Sequence, residues 1–343
     1  MKYIVNTGCS YGVMFRSFKS FVESDNNNFR IIDLHCDSHG AEYQKRSVVF
    51  AVSKLLDTGV LPSDIFVITE WSQPNRLFTE LPQELSKNIL SKKNEFEPSF
   101  YIDHTFNHVD NSEPFVLKYK SLCTIFGDRA YINPDVDDTS YLEEDMLDLY
   151  IKQYKENSVL NNKPIDRFEN YLQNIVSLQD FLKSRNIDYV FFLMNNTLSG
   201  YDDNFSHEYF TNEFENIIKQ DNISLPKLTF LNQIKDFSTY LQTLWNLLDL
   251  NKFVFYTTEN IQFGGIDEYA MEKFGHISYY SAMNEWDKTD KTNIAYFGSH
   301  PHDSIYIDFF KEYIYKKVHH ITGNLQFTMN DRWSPTKHNA IRL

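Results

Sequence analysis

The chain has 343 residues, with 33 lysines and arginines against 47 aspartates and glutamates, so its formal net charge is 33 − 47 = −14. Hydrophobic residues make up 42% of the sequence and aromatic residues 16%, which excludes a disordered or fibrous protein. An acidic chain does not neutralise phosphate groups, so the composition argues against nucleic-acid binding and against adhesion to anionic membranes.

Targeting signals and membrane spans are not expected in this sequence. The longest wholly apolar run, residues 189–194, is far shorter than the roughly 20 residues that cross a bilayer. The N-terminal apolar run turns polar at Asn6, so we expect no secretory leader. The protein is therefore expected in the cytoplasm, unless it is carried out of the cell as part of an assembly. Its three cysteines, an odd number, predict free thiols.

The first 76 residues alternate short apolar runs with segments of helical periodicity. Strands are predicted at 2–6, 29–34 and 64–69, and helices at 14–22 and 42–56, the second ending before Gly59. Such alternation is typical of a parallel sheet with helices on both faces. In these folds, ligands bind at the carboxyl ends of the strands.

The pattern changes after residue 76 and returns later in the chain. Residues 77–140 are irregular, helices are predicted at 141–154 and 168–185, strands at 187–193 and 252–257, and a last helix at 304–318. We therefore predict an α/β core formed by 1–76 and 186–320, an insertion of irregular chain and helices over 77–185, and a C-terminal tail over 321–343. The core is expected to be a three-layer α/β/α domain with a short parallel sheet.

The strongest local motif is Gly8-Cys9-Ser10-Tyr11-Gly12, between the first predicted strand and helix. A serine at this junction lies at the carboxyl end of a strand and at the positive end of a helix, where backbone N–H groups can bind an oxyanion. Ser10 is therefore a candidate nucleophile. The alternative is a glycine-rich turn in which Ser10 caps the helix.

A second motif, Gly298-Ser299-His300-Pro301, precedes the last predicted helix. A nucleophilic serine needs a base, and His300 at the last strand–helix junction would share a rim of the sheet with Ser10. The alternatives are a solvent-exposed loop histidine, or His302 as the base. Donors for an oxyanion are predicted at other strand ends, namely Gly40, Ser72 and Asn75.

The order of these motifs resembles the SGNH hydrolases, also called GDSL-like esterases and lipases. Gly8-Cys9-Ser10 resembles the first block of that family, Gly40 falls at the second-block glycine, and His300-Pro301 resembles the last block. Residues 71–76 resemble a divergent, largely phage-encoded branch with Trp-Ser/Thr-x-x-x-Arg at this position. The resemblance implies an SGNH-hydrolase or flavodoxin-like fold.

The resemblance also implies roles for single residues. Ser10 would be the nucleophile and His300 the base, with Gly40 and Ser72 or Asn75 completing the oxyanion hole. Cys9 stands where the family has aspartate, and Phe297 stands where it has the acid three residues before the histidine. A Ser–His dyad assisted by a backbone carbonyl or by Asp303 would then be needed.

The function implied is that of a serine esterase, with an O-acetylated surface or capsular glycan as its substrate by analogy. The competing hypothesis is a degenerate SGNH-like module that contacts other proteins in a virion or similar assembly. Acyl transfer to a sugar would use the same residues. No cofactor or metal is expected, although His35-Cys36-x-x-His39 has a spacing that ligands can adopt. Trp71 and other aromatic residues outside the predicted elements are candidates for a protein interface or a sugar platform.

Overall fold

The computed structural model describes part of the chain in detail. The described residues are 1–9, 29–35, 40–72, 74, 79–91, 96–98, 101–102, 117–119, 123–126, 129–132, 152, 164–195, 198, 239–258, 263–274, 294–297, 300–301, 303–322 and 340–342. The chain divides into two compact units, one formed by Met1–Cys9 with Arg30–Tyr189 and the other by Ser10–Phe29 with Val190–Leu343. The predicted helix at 14–22 and all but residue 152 of the predicted helix at 141–154 lie outside the described residues.

The described elements of the first unit are parallel strands, antiparallel strands and helices. In chain order they are β1 (Lys2–Thr7), β2 (Phe29–Asp33), α1 (Ala41–Asp57), β3 (Ile65–Trp71), β4 (Thr79–Glu80), α2 (Gln83–Ser91), β5 (Phe96–Pro98), β6 (Tyr101–Ile102), β7 (Leu117–Tyr119), β8 (Cys123–Phe126), β9 (Arg129–Ile132) and α3 (Pro164–Ser184). Strand β10 (Asp188–Leu193) follows and contains the boundary between the units.

The elements of the second unit are shorter. They are α4 (Thr239–Leu247), β11 (Phe253–Val254), α5 (Ile266–Phe274), β12 (Ile294–Phe297), β13 (His300–Pro301), α6 (Asp303–Phe309), α7 (Tyr315–Thr322) and β14 (Ala340–Arg342). A π-helical turn, Phe310–Ile314, joins α6 to α7.

Five parallel strands form the main sheet, in the order β2-β1-β3-β10-β11, and β6 adds antiparallel to the outer edge of β2. The parallel pairing of β1 with β3 aligns Tyr3 with Ile65 and Thr7 with Thr69. Numbered along the chain, the five parallel strands have the order 2-1-3-4-5, which is one of the two common orders of doubly wound sheets. The α/β class predicted from the sequence is confirmed at this level.

Helix α1 shows why the sequence predicts this unit well. Its apolar residues recur with helical spacing, and Val48, Val52 and Leu55 are buried. The helix ends at Asp57, and Gly59 two residues later has a φ of 88°. The N–H groups of Gly59 and Val60 donate to the carbonyls of Leu56 and Leu55, which is a Schellman motif. The predicted end of this helix is confirmed. Helix α3 packs against α1.

The irregular chain predicted at 77–140 contains a second sheet instead. Strands β4, β9, β8, β7 and β5 form a five-stranded antiparallel sheet in that order. Each strand has only two to four residues, which is too short for an alternating pattern to be recognised in the sequence. The prediction of irregular chain was therefore wrong for these residues.

Three strand and helix boundaries also differ from the prediction. Strand β3 continues two residues past its predicted end, through Glu70 and Trp71. Both side chains are buried and not solvated, unlike the side chains of a polar loop. Strand β11 has only two residues, and the chain then turns so that Tyr256 pairs with Gly264. The last helical segment continues past residue 318 to Thr322, and its six predicted apolar residues are buried: Ile305, Ile307, Phe309, Phe310, Ile314 and Val318.

Candidate functional site

Three polar side chains form a buried network at the carboxyl ends of β1 and β2. The Asn6 amide Nδ2 donates to Asp33 Oδ1 over 2.8 Å, and His35 Nδ1 lies 2.8 Å from Asp33 Oδ2. Asn6, Asp33 and His35 are 0%, 4% and 1% exposed. An ionised carboxylate only accepts hydrogen bonds, so it holds the imidazole with Nδ1 protonated and leaves Nε2 as the acceptor in the neutral ring.

Local structure explains how the network forms. Asp33 and His35 are two residues apart in extended chain, where side chains i and i+2 point to the same side. The Leu34 N–H donates to the Asn6 carbonyl over 2.7 Å, which holds the end of β2 beside β1. The Tyr43 hydroxyl donates to the Leu34 carbonyl over 2.8 Å and attaches α1 to the same segment.

A second buried contact joins the ends of β1 and β3. The Cys9 N–H donates to Glu70 Oε2 over 2.7 Å, and Cys9 Sγ lies 3.5 Å from Glu70 Oε1. Both residues are fully buried, and the Cys9 thiol is not part of a disulfide bond. In the strand order 2-1-3-4-5, ligands bind at the carboxyl ends of strands 1 and 3, where the order reverses. The Cys9–Glu70 pair lies at that point.

Two of the predicted oxyanion donors meet at the N-terminus of α1. Gly40 is the buried N-cap residue, and its carbonyl accepts the Gln44 N–H over 3.2 Å. The Ser72 N–H points at Gln44 Oε1 over 3.5 Å, and Ser72 is also buried. None of the described side chains caps this helix, and the N-terminus of a helix carries a partial positive charge that favours an anion.

The hydroxyls of Thr7 and Ser47 lie 3.1 Å apart, and either can donate to the other. Gln44 Nε2 is buried and has no hydrogen-bond partner among the residues that the structure describes. The carboxyl ends of β1, β2 and β3 and the start of α1 therefore form one polar region within the first unit.

The remaining predicted site residues are placed less completely. Ser10, Asn75 and His302 lie outside the described residues. His300 is described by its backbone alone: it lies on β13, which pairs with β12 in a three-stranded antiparallel sheet. His300 therefore precedes α6, as predicted for the last strand–helix junction, and its position on a rim shared with Ser10 stays a prediction. Asp303 is the first residue of α6, and its side chain lies outside the described residues.

Sequence reasoning missed two charged residues of the polar region. Asp33 lies within the predicted strand 29–34, and Glu70 follows the predicted strand 64–69. The signal for Asp33 is the spacing Asp-x-His at the end of a predicted strand, since that spacing brings a carboxylate and an imidazole to one side of extended chain.

Trp71 belongs to the core and not to an interface or sugar platform. It is fully buried and packs edge-on against Tyr171, with ring centroids 6.3 Å apart. Within the described ranges, no group of three or more His, Cys, Asp and Glu side chains is arranged to hold a metal ion. Over the same ranges, no helix combines the length and apolar character needed to cross a bilayer.

Comparison of the chain with protein-family models, with curated proteins and with solved structures finds no match. The family resemblance therefore depends on the sequence motifs. Chemically, the polar region offers a carboxylate-held imidazole, a buried carboxylate, and the positive end of a helix.

Proposed function

We propose that the protein is a serine ester hydrolase with an SGNH-like, three-layer α/β/α core and Ser10 as its nucleophile. One observation carries the proposal. Gly40, which sequence reasoning assigns to the oxyanion hole, is the N-cap residue of α1, and Ser72, assigned to the same hole, donates its N–H to the Gln44 side chain near the start of that helix. They come from different strand–helix junctions, so a shared position at one helix N-terminus is what an anion site requires.

In the proposed reaction, Ser10 Oγ attacks the ester carbonyl while a histidine accepts its proton. The N–H groups of Ser10 and Gly40, with Ser72 or Asn75, bind the oxyanion. Collapse of the tetrahedral intermediate releases the alcohol, and water then hydrolyses the acyl-enzyme. The family resemblance gives the base role to His300, assisted by Asp303 or a backbone carbonyl.

The proposed substrate class is a short-chain ester, with an O-acetyl group on a surface or capsular glycan as the natural example. This substrate follows from the resemblance by analogy. Release of acetate from an O-acetylated polysaccharide, and not from the same polysaccharide after chemical deacetylation of its esters, tests it. Transfer of acetate to an added sugar would instead identify an acyltransferase.

The test of the hydrolase is turnover of p-nitrophenyl acetate, combined with fluorophosphonate labelling and mapping of the labelled peptide. Ser10→Ala should abolish both turnover and labelling. Ser63→Ala is the matched control, since Ser63 is exposed in the short helical turn before β3, and it should change neither. If the folded wild-type protein neither turns over the ester nor is labelled at Ser10, the proposal fails in favour of a non-catalytic module of an assembly.

A further inference from the structure

His35 is a buried titratable residue that the motif-based mechanism does not use. Its Nδ1 is held by Asp33 at 2.8 Å, and Asp33 is held in turn by the Asn6 amide at 2.8 Å. Its other ring nitrogen, Nε2, is buried and has no hydrogen-bond partner among the described residues. A buried polar atom without a partner is costly in free energy and calls for an explanation in terms of ligand or function.

We infer that His35, oriented by Asp33, is the general base of the ester hydrolysis proposed above, in place of His300. The inference depends on that proposed function. Its physical basis is that a base must present an unprotonated nitrogen, and a carboxylate on the opposite nitrogen both selects that tautomer and stabilises the imidazolium that forms. Asp33 meets both requirements for His35.

Position in the sheet supports the same assignment. His35 follows β2, which lies next to β1 in the sheet, and the chain leads from β1 through Cys9 directly to Ser10. Adjacent parallel strands have their carboxyl ends at one edge, where active sites of this architecture lie. His300 instead lies on an antiparallel strand of another sheet, and the residue three before it is Phe297 rather than an acid.

The chemical step uses only groups of this chain and the ester. The O–H bond of Ser10 breaks as its proton moves to His35 Nε2, and Oγ forms a bond to the acyl carbon while the carbonyl electron pair moves to oxygen. When that pair returns, the bond to the leaving alkoxide breaks and the alkoxide takes the proton from Nε2. Water repeats the sequence at the acyl-enzyme: it gives a proton to Nε2, and Ser10 recovers it as the acid departs. Asp33 stays ionised throughout.

The alternative is a purely structural His–Asp pair, so the test needs measurements that separate the two roles. His35→Gln and His300→Gln form a matched pair, since each replaces an imidazole by an amide. We expect kcat/KM for p-nitrophenyl acetate to fall at least 1,000-fold in His35→Gln, with a parallel loss in the rate at which fluorophosphonate labels Ser10. His300→Gln should lose at least 100-fold less activity than His35→Gln, and the control His320→Gln, at an exposed histidine of α7, should stay within about threefold of wild type.

Two further variants keep the test informative if His35→Gln folds poorly. Asp33→Asn keeps the shape of the side chain and should lower kcat/KM at least 100-fold with a smaller change in melting temperature. His35→Ala should be reactivated by added imidazole, which replaces a missing base but does not repair a missing structural contact.

The outcomes separate the inference from the function on which it depends. Full activity in His35→Gln with loss of activity in His300→Gln overturns the inference and leaves the serine hydrolase intact. Equal losses in both variants, with no recovery of His35→Ala in imidazole, also overturn it. If the wild-type protein shows neither turnover nor labelling of Ser10, the hydrolase itself fails.

Discussion

Buried polar groups follow parallel strands in both units, but they are used differently. In the first unit, Asn6, Asp33 and His35 pair side chain to side chain beyond the ends of β1 and β2. In the second unit, the polar groups that follow β10 bind backbone. The Asp267 N–H donates to the Met194 carbonyl over 3.0 Å, and the Gly265 N–H donates to the Glu268 carboxylate over 2.7 Å.

The hydrogen bonds in the second unit satisfy the backbone N–H groups that the first turn of any helix leaves without a partner inside the helix. Glu268 lies three residues after Gly265 and binds its N–H, which is one half of a capping box. A Cβ atom on Gly265 would lie 2.3 Å from the Leu193 carbonyl oxygen and 2.6 Å from the Asn195 nitrogen. The helix start therefore packs directly on the end of β10. Aromatic rings cover the region beyond it, with Tyr269 against Tyr256, Phe309 and Tyr313.

The difference separates structural from functional burial of polar groups. In the second unit, the Glu268 carboxylate completes a backbone hydrogen bond and the helix start packs directly on β10, although Asn195 Oδ1 is also buried without a partner among the described residues. In the first unit, the network includes an imidazole nitrogen that no described group uses. Changes in the second unit should therefore alter stability first, whereas changes in the network of the first unit should alter activity first.

The largest effect on stability is expected from Gly265→Ala. The added methyl group would overlap backbone atoms of β10, which cannot move as a flexible side chain can. We expect the free energy of unfolding to fall by about 3 kcal/mol, measured by urea denaturation. A loss below about 1 kcal/mol would show that α5 does not rest on the strand as closely as the comparison states.

Glu70→Ala should have the next largest effect. It removes the acceptor of the buried Cys9 N–H, and an unsatisfied buried donor costs about 2 kcal/mol. Glu70→Gln is the matched control, because its amide oxygen can still accept that bond, and it should cost less. Thermal melting of the three proteins compares them. Equal losses in both variants would show that the charge of Glu70, and not its hydrogen bond to Cys9, stabilises this edge.

Gly59→Ala should destabilise the protein by about 1 kcal/mol, as measured by urea denaturation. A Cβ atom there would meet nothing within 4 Å, but the φ of 88° disfavours every residue that carries one. Gly59→Asn should cost less, since asparagine tolerates this conformation. Together with Gly265→Ala, these variants distinguish strain of the backbone from lack of space. Equal costs at positions 59 and 265 would contradict that distinction.

The smallest effect is expected at high pH. Burial, and then the nearby Glu312 carboxylate, raise the pKa of Tyr269 above its ordinary value of 10.0. The folded protein therefore keeps a proton that the unfolded chain releases above about pH 10, so stability falls as the pH rises past 10. In Tyr269→Phe this fall should be shallower, measured by urea denaturation at pH 8 and pH 10.5. An unchanged slope would exclude Tyr269 as its source.

The sequence predicts the parallel core because its strands and helices are long enough to show periodicity. Strand β10 is buried from Tyr189 to Leu193 and α1 buries one face. The antiparallel sheet of the first unit could not be predicted, because strands of two to four residues are selected by pairing with distant chain and not by local pattern.

The site was predicted in part for a related reason. The location of Gly40 and Ser72 near the site could be predicted, because both residues come after a strand and a parallel sheet brings the carboxyl ends of its strands to one edge. The Asp33–His35 pair was missed because a charged residue inside an apolar run was counted as the end of a strand. Glu70 was missed because a charged side chain that follows a strand is usually exposed to solvent. Its hydrogen bond from the Cys9 N–H joins residues 61 positions apart, so only the fold reveals it.

The π-helical turn between α6 and α7 has a consequence for the ancestry of this chain. A π turn holds one more residue than an α turn in the same length of helix, so it behaves as a single-residue insertion. Phe309 is buried before the turn, Phe310 and Ile314 are buried within it, and Val318 and Ile321 are buried after it. A relative without the insertion would keep both apolar faces with one residue fewer. Its alignment with this chain should therefore open a gap of one position within Phe310–Ile314.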